Sequence, residues 1–310
     1  MTGYIARRLT FAVVLVFAVS SASLMLARFA PGDYVTESLG VNARRAAVDA
    51  ARARYGLNRT FGEQYRDWLV GALHLDFGRS MQYDRPVADL IPERAVNTGI
   101  LAFSALAVAT LIGLPLGVVT GTRRRGIVPA AIRAASLVLL SMPPLLTSLF
   151  LVFVAAKSGW LPVGGMTSSG GEGLLRHMIV PVAALALPLV AMFERLQSQA
   201  MSETIGQPYV VATFGRGVPL SRVIWRDALK NALRPIASIY GLVVGTLLSG
   251  SFAVETVTAW PGLGQLMLGA LRARDVYLVA GCAAAGSVFL AIGTLMSDAA
   301  LAMVDPRTAD

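Results

Sequence analysis

Between Thr98 and Thr120 the chain carries no charged side chain, and this stretch constrains the fold more than any other. A helix rises about 1.5 Å per residue, so about 20 mostly apolar residues cross the hydrocarbon layer, where backbone groups must be satisfied internally. Five further stretches meet the same test: Leu9 to Ala27, about Ala134 to Ala156, Met178 to Phe193, about Ile236 to Val257 with Glu255 near its end, and about Val276 to Val304, interrupted by Asp298. Met178 to Phe193 is the shortest. Composition agrees, with 55% hydrophobic and 15% charged residues against about 25% charged in soluble domains. The expected fold is therefore an all-α membrane protein with six transmembrane helices. The first stretch has a rival reading as a cleaved signal peptide, with Arg7 and Arg8 before it and Ala27-Arg-Phe-Ala30 after it. It is longer than the roughly 7 to 15 residues of a signal-peptide core, so a retained helix is expected.

The net charge of +9 does not point to nucleic acid, because apolar runs separate the charges and leave no continuous basic face. The arginines report topology instead, since short loops retain Lys and Arg on the cytoplasmic side. Arg7 and Arg8, the run Arg123 to Arg125 with Arg133, and the region from Arg195 to Arg234 alternate across the spans in the sense that puts both termini in the cytoplasm. Segment 28–97, whose acids nearly balance its arginines, becomes an extracytoplasmic loop domain after helix one. The remaining divisions are 1–27, the N-terminus with the first helix, and 98–310, a five-helix core with a loop at 194–235. One cysteine, Cys282, and the distant His74 and His177 make a metal site unexpected. The lysines, Lys157 and Lys230, lie outside any phosphate-binding Gly-x4-Gly-Lys motif, and His-Glu-x-x-His and Gly-x-Ser-x-Gly are also absent.

Glycine and proline punctuate the spans at Gly113-Leu-Pro-Leu-Gly117, Pro143-Pro144, Pro181, Pro188 and Gly241/Gly245. Close helix packing and gating kinks both fit them. In the long loop, Asn42 is placed to cap a helix ending at Tyr55-Gly56, and Gln64 to Leu73 carries an apolar stripe of Tyr65, Trp68, Leu69, Ala72 and Leu73. That stripe suits a membrane surface, a cover over the bundle, or an external partner.

The loop 194–235 is the most informative part. Gln207-Pro208-Tyr209 opens a short helix, and Gly215-Arg216-Gly217 ends it. Ser221 is then read as the cap of a second helix, with Ile224, Trp225, Ala228, Leu229 and Ala232 facing away from Arg222, Arg226, Lys230 and Asn231. A solvated connector is one explanation. An apolar tip of Tyr209, Val210, Val211 and Phe214 favours docking into a groove on another protein.

At this loop the chain resembles the binding-protein-dependent ABC importer permeases. The residues are Tyr209-Val-Val-Ala-Thr-Phe-Gly-Arg-Gly217 and Val223-Ile-Trp-Arg-Asp-Ala-Leu-Lys-Asn-Ala-Leu-Arg-Pro235, with Gly217, Ala228, Leu229, Asn231, Ala232, Leu233 and Pro235 on the family pattern. Similarity to the dipeptide, oligopeptide and nickel branch runs through Ala30-Pro-Gly-Asp33, Asp76-Phe-Gly-Arg-Ser80, Arg85-Pro-Val87, Ile112-Gly-Leu-Pro-Leu-Gly117, Gly159-Trp-Leu-Pro162, Trp260-Pro-Gly-Leu-Gly264 and Asp305-Pro-Arg307. The chain departs at Thr213-Phe-Gly-Arg-Gly217, where Ala-Arg-Ala-Lys-Gly is common, and at Tyr34, Asp227 and Arg274-Asp-Val-Tyr277.

The resemblance implies a permease without ATPase activity or cofactor of its own, ATP and magnesium being held by partner subunits. It implies a second homologous permease subunit, two cytoplasmic ATP-binding subunits and an extracytoplasmic solute-binding protein. Residues Tyr209, Val210, Val211, Ala212, Thr213, Phe214, Gly215, Arg216 and Gly217 would then form the docking element, supported by Ser221, Arg226, Ala228, Leu229, Asn231 and Pro235. An ion-gradient-driven secondary transporter is the alternative. It calls for ionisable groups at depth, and helices two to four read as uncharged inside. An intramembrane enzyme would need a polar constellation that hydroxyls such as Ser104, Ser136, Ser141, Thr246 and Ser249 do not supply.

Overall fold

The structure is a computed structural model describing residues 2–40, 43–123, 125–166 and 172–304, and among these residues every regular element is helical. In chain order these are α1 (Thr2–Phe29), α2 (Tyr34–Leu39), α3 (Arg45–Arg54), α4 (Phe61–Leu73), α5 (Val87–Thr122), α6 (Ile127–Leu140), α7 (Pro144–Ser158) and α8 (Glu172–Ile205). There follow α9 (Pro208–Gly215), α10 (Leu220–Arg222), a π-helical turn (Val223–Ala228), α11 (Leu229–Ala232), α12 (Arg234–Val257), α13 (Leu263–Ala273) and α14 (Val276–Val304). Within α1, α5, α8 and α14 lie 4 unbroken apolar stretches long enough to cross a membrane, and two bent pairs raise the number to 6 if each is one span.

The third expected span, Ala134 to Ala156, is one of these pairs: α6 and α7 meet at 105°. The reason is Pro143-Pro144, since proline supplies no N–H and pushes the preceding residue out of the helical region; Pro144 instead starts α7. Helix α12 also bends, by 51° between Gly245 and Gly250. The fourth span is longer than Met178 to Phe193. Pro181 and Pro188 both sit inside α8, which continues to Ile205. The extension buries Glu194 and Gln197, just beyond the Phe193 end expected for the span. Thr120 Oγ1 donates to Glu194 Oε1 at 2.5 Å, while both amide atoms of Gln197 lack a partner among the described residues.

Two compact units divide the chain, residues 1–98 with 261–288, and 99–260 with 289–310. In the second, α8 packs against α6, α7 and α12, around Leu101, Leu106, Leu185, Phe193, Val243 and Trp260. Lipid tails are as apolar as leucine, so close packing rather than water exclusion holds such helices together. Glycine makes it possible: a Cβ on Gly117 would fall 2.5 Å from Gln197 Cβ, and one on Gly121 2.5 Å from the Ser198 carbonyl. The expected Gly113/Gly117 spacing thus extends a further turn.

The first unit holds α2, α3 and α4. Asp33 caps α2 in a reciprocal box with Thr36, and its other carboxylate oxygen accepts from Arg52 Nε at 2.8 Å. Asn42 lies outside the described residues; α3 begins at Arg45 after Arg44, which makes no side-chain cap. Helix α4 begins at Phe61, ahead of the expected Gln64, because Thr60 and Glu63 form a capping box. Its stripe buries Trp68 and Ala72 against Leu24 and Ala280, with Tyr65 and Leu69 packed alongside, but leaves Leu73 66% exposed. Asp275, wholly buried, accepts from Ser80 Oγ at 2.6 Å, from the Gln82 N–H at 3.1 Å and from the Leu278 N–H at 3.2 Å. One carboxylate thereby ties the 80–82 turn to the start of α14.

Candidate functional site

The segment between α8 and α12 gathers the residues singled out from the sequence. Pro208 opens α9, where its missing N–H costs nothing because first-turn N–H groups have no helical acceptor. After Gly215 the chain leaves the helix through Arg216, and Gly217 turns it at φ +79°. A side chain at Gly217 would meet no atom within 4 Å, so glycine is required there by the backbone angle, not by space.

Ser221 does not cap the second helix. Pro219 stands at the N-cap of α10, and Ser221 lies exposed inside it. The expected apolar face also shifts. Buried positions are Val223, Ala228 and Ala232, spaced five and then four residues apart, because the turn Val223–Ala228 is π-helical. Ile224 and Leu229 pack at its edge, and Trp225 turns outward, 50% exposed.

These residues close on one cluster. Val210 of α9 joins Val223, Ala228 and Ala232 on Val118 of α5 and on Ala200 and Met201 of α8. Val210 is 3% exposed, so it belongs to the anchor and not to the tip. Tyr209, Val211 and Phe214 remain 43%, 58% and 55% exposed, and Ala212 and Gly215 are exposed beside them. A hydrogen bond from Asn231 Nδ2 to Tyr209 Oη at 2.6 Å ties α9 to α11, and Arg216 Nη2 reaches Thr213 Oγ1 at 3.0 Å. Arg226 and Pro235 are exposed at the margin, Pro235 in the first turn of α12.

The sequence revealed the tip but not its seat. Val118 comes from the second expected span, and Ala200 and Met201 from the start of the 194–235 loop, which α8 absorbs; apolar residues in such long helices carry no distinguishing signal. Chemically the segment holds no nucleophile–base pair, and no metal-binding cluster occurs among the described residues. It presents three apolar side chains on a compact support ringed by Arg216, Arg222, Arg226 and Lys230, none of which forms an ion pair among the described residues. That arrangement can be gripped.

Residues 113–310 match the family described as binding-protein-dependent transport system inner membrane component, and residues 1–100 match its N-terminal companion family. The chain is 30% identical to the oligopeptide transport system permease protein AppB of Bacillus subtilis, over 99% of both chains. A Brucella suis biovar 1 protein named as a peptide permease is also 30% identical over 99% of each chain. A Sinorhizobium fredii protein named a probable peptide ABC transporter permease is 29% identical over 98% of each.

Proposed function

Because this chain belongs to the family of binding-protein-dependent transport system inner membrane components, and so is a multi-pass permease subunit of a bacterial inner-membrane ABC importer, we propose that its solute is a short peptide. The relatives' names support that solute class. In this reading α1, α5, the pair α6–α7, α8, α12 and α14 are six spans, both termini are cytoplasmic, and 28–97 is extracytoplasmic. The segment 194–235 is a cytoplasmic handle. A second homologous permease completes the pathway, an extracytoplasmic binding protein delivers the peptide, and two ATP-binding subunits hold ATP and magnesium. This chain binds no cofactor itself.

The observation that carries the mechanism is the exposed Tyr209–Val211–Phe214 tip above a buried anchor on α5 and α8. Closure of the ATPases on ATP pulls the tip, and the anchor transmits the pull to α8, around which α6, α7 and α12 pack. Delivery and release of peptide follow from the resulting tilt, so energy enters through docking contacts. The buried Glu194 is the kind of group an ion-coupled carrier would use, but the family and the handle favour ATP coupling. Cysteine placed at Ser221 tests the reading: it should react with a membrane-impermeant maleimide only in inverted vesicles. Labelling in intact cells, or peptide uptake driven by an ion gradient without the ATPases, would overturn it.

A further inference from the structure

Helix α4 lies against α1 and α14, and two contacts fix the direction in which it runs. The Phe61 ring at its start sits 6.4 Å from the ring of Phe29 at the end of α1, and one turn later the Tyr65 hydroxyl donates at 3.2 Å to Ser21 Oγ, about two turns back along α1. As α4 advances it therefore meets earlier residues of α1, and with 28–97 outside the cell that direction leads toward the hydrocarbon. Trp68 and Ala72 are buried on this side with Leu24 of α1 and Ala280 of α14, and Phe17 packs alongside.

The free side of α4 changes character along the same path. Its outer half exposes Glu63, Arg66 and Asp67, whereas its inner end exposes Val70 at 52%, Leu73 at 66% and, just past the helix, Leu75 at 75%. Arg66, Val70 and Leu73 are spaced i, i+4, i+7 and so share one face, with the charge at the outer end. Leu75 holds φ +63°, a region in which leucine is uncommon, and its side chain stands outside the core. The polar groups interleaved with the leucines are answered within the chain: His74 Nδ1 donates to the Val70 carbonyl at 2.9 Å, and Asp76 Oδ1 accepts from the Gly78 N–H at 2.9 Å. Arg66 is held more loosely, 3.7 Å from Asp67, whose other oxygen binds Arg59 Nη2 at 2.7 Å.

We infer that this face of α4 is seated in the outer leaflet, at the boundary between headgroups and acyl chains, with Val70, Leu73 and Leu75 on the chains and the Arg66 guanidinium on a phospholipid phosphate. The inference rests on the reading of α1 and α14 as spans with 28–97 outside. Lipid is continuous with this face: α4 packs on α1, whose apolar stretch is only 11% buried within this chain, so the tails that cover α1 reach α4. An amphipathic helix at this boundary sinks its apolar side chains roughly 5–10 Å and keeps its cations among the headgroups. An external protein would instead approach from the water and meet Glu63, Arg66 and Asp67 first. Seated in this way, α4 holds the loop domain at a fixed depth beside α1.

The complete complex of permeases and ATPases is placed in nanodiscs with an environment-sensitive fluorophore on Leu73→Cys, Leu75→Cys or Gly62→Cys, and emission from the labelled parent, in which Cys282 of this chain is buried, is subtracted. Gly62 is exposed on the outer half, with no atom within 4 Å of an added Cβ. Phosphatidylcholine spin-labelled high on its acyl chain should remove about half the emission at positions 73 and 75, with iodide having little effect, and the order should reverse at position 62. Arg66→Glu should lower the lipid quenching at position 73 roughly twofold, because it sets a like charge against phosphate. Iodide quenching at positions 73 and 75 would overturn the inference, and its suppression by added binding protein would assign the face to that partner. Unchanged lipid quenching in the Arg66→Glu variant would overturn the phosphate contact. A fluorophore on Val14→Cys, at a position 59% exposed midway along α1, separates the readings. If lipid quenches it and iodide does not, while positions 73 and 75 behave oppositely, only this inference falls; if iodide reaches it as well, α1 is not a span.

Discussion

The loop that carries α2 to α4 and the loop that carries α9 to α11 are both compact helical excursions, yet they are held in opposite ways. The first is braced from within by side chains, through two capping boxes and the Asp33–Arg52 and Arg59–Asp67 ion pairs, and the turn that follows it is held by the buried Asp275. In the second, neither α9 nor α10 has a side-chain cap, its basic residues form no ion pair among the described residues, and it rests on one apolar cluster. A segment braced by its own polar side chains keeps its shape without a partner, even with Leu73 exposed. One that leaves Tyr209, Val211 and Phe214 in solvent is finished by something else.

Substitutions can break that contrast. Phe214→Asp places a charge where an apolar groove is expected and should weaken retention of the ATPase subunits roughly a hundredfold in pull-downs, with the permease still folded. Full retention would put the docking surface elsewhere. Asp275→Ala leaves donors from Ser80, Gln82 and Leu278 unanswered and should cost about 3 kcal/mol in detergent-solubilised stability, with ATPase binding intact. If assembly failed while the denaturation midpoint held, the division into a self-held and a partner-held loop would be wrong. Gly217→Val forces a β-branched residue to φ +79° at a cost of roughly 1–2 kcal/mol or more, and should blunt the stimulation of ATP hydrolysis by loaded binding protein. Unchanged stimulation would remove Gly217 from the lever.

The smallest effect is expected from acid. Burial raises the pKa of Asp33, but hydrogen bonds from the Thr36 backbone and Arg52 outweigh it and hold the carboxyl below its ordinary 3.8. A lowered folded pKa means stability that is complete above 3.8 and lost as pH falls below it through the folded value. Protection against hydrogen exchange at α2 and α3, taken relative to the intrinsic rate at each pH, should therefore fall below pH 3.8, and Asp33→Asn should remove most of that dependence.

Much of the helical membrane architecture was legible because long uncharged stretches have few alternatives, and α9 was legible because Pro208 and Gly217 mark its ends. The Thr60-Phe-Gly-Glu63 capping box was also readable, yet α4 was expected to start later. Less accessible was the fate of α8: the charge of Glu194 reads as the end of a span, whereas close approach of Gly117 and Gly121 seats the continuing helix against α5. The π-helical turn has no local signature at all, since it answers to the packing of Val223, Ala228 and Ala232 and not to their propensities. Neither does a cavity beside Glu194, whose walls combine the corner between α5 and α6 with the later helix α8.

The wide turn at Val223–Ala228 makes residue count matter there as much as residue identity. A π turn accommodates one residue more than an α turn, and each residue in a helix advances the side chain by about 100°. Closing the hydrogen bonds in ordinary α fashion at the present length would swing Val223 off the cluster it shares with Met201. Deleting a single residue between Ile224 and Asp227 would instead leave Val223 four residues from Ala228 on one α-helical face, so the π turn is what lets the extra residue be carried.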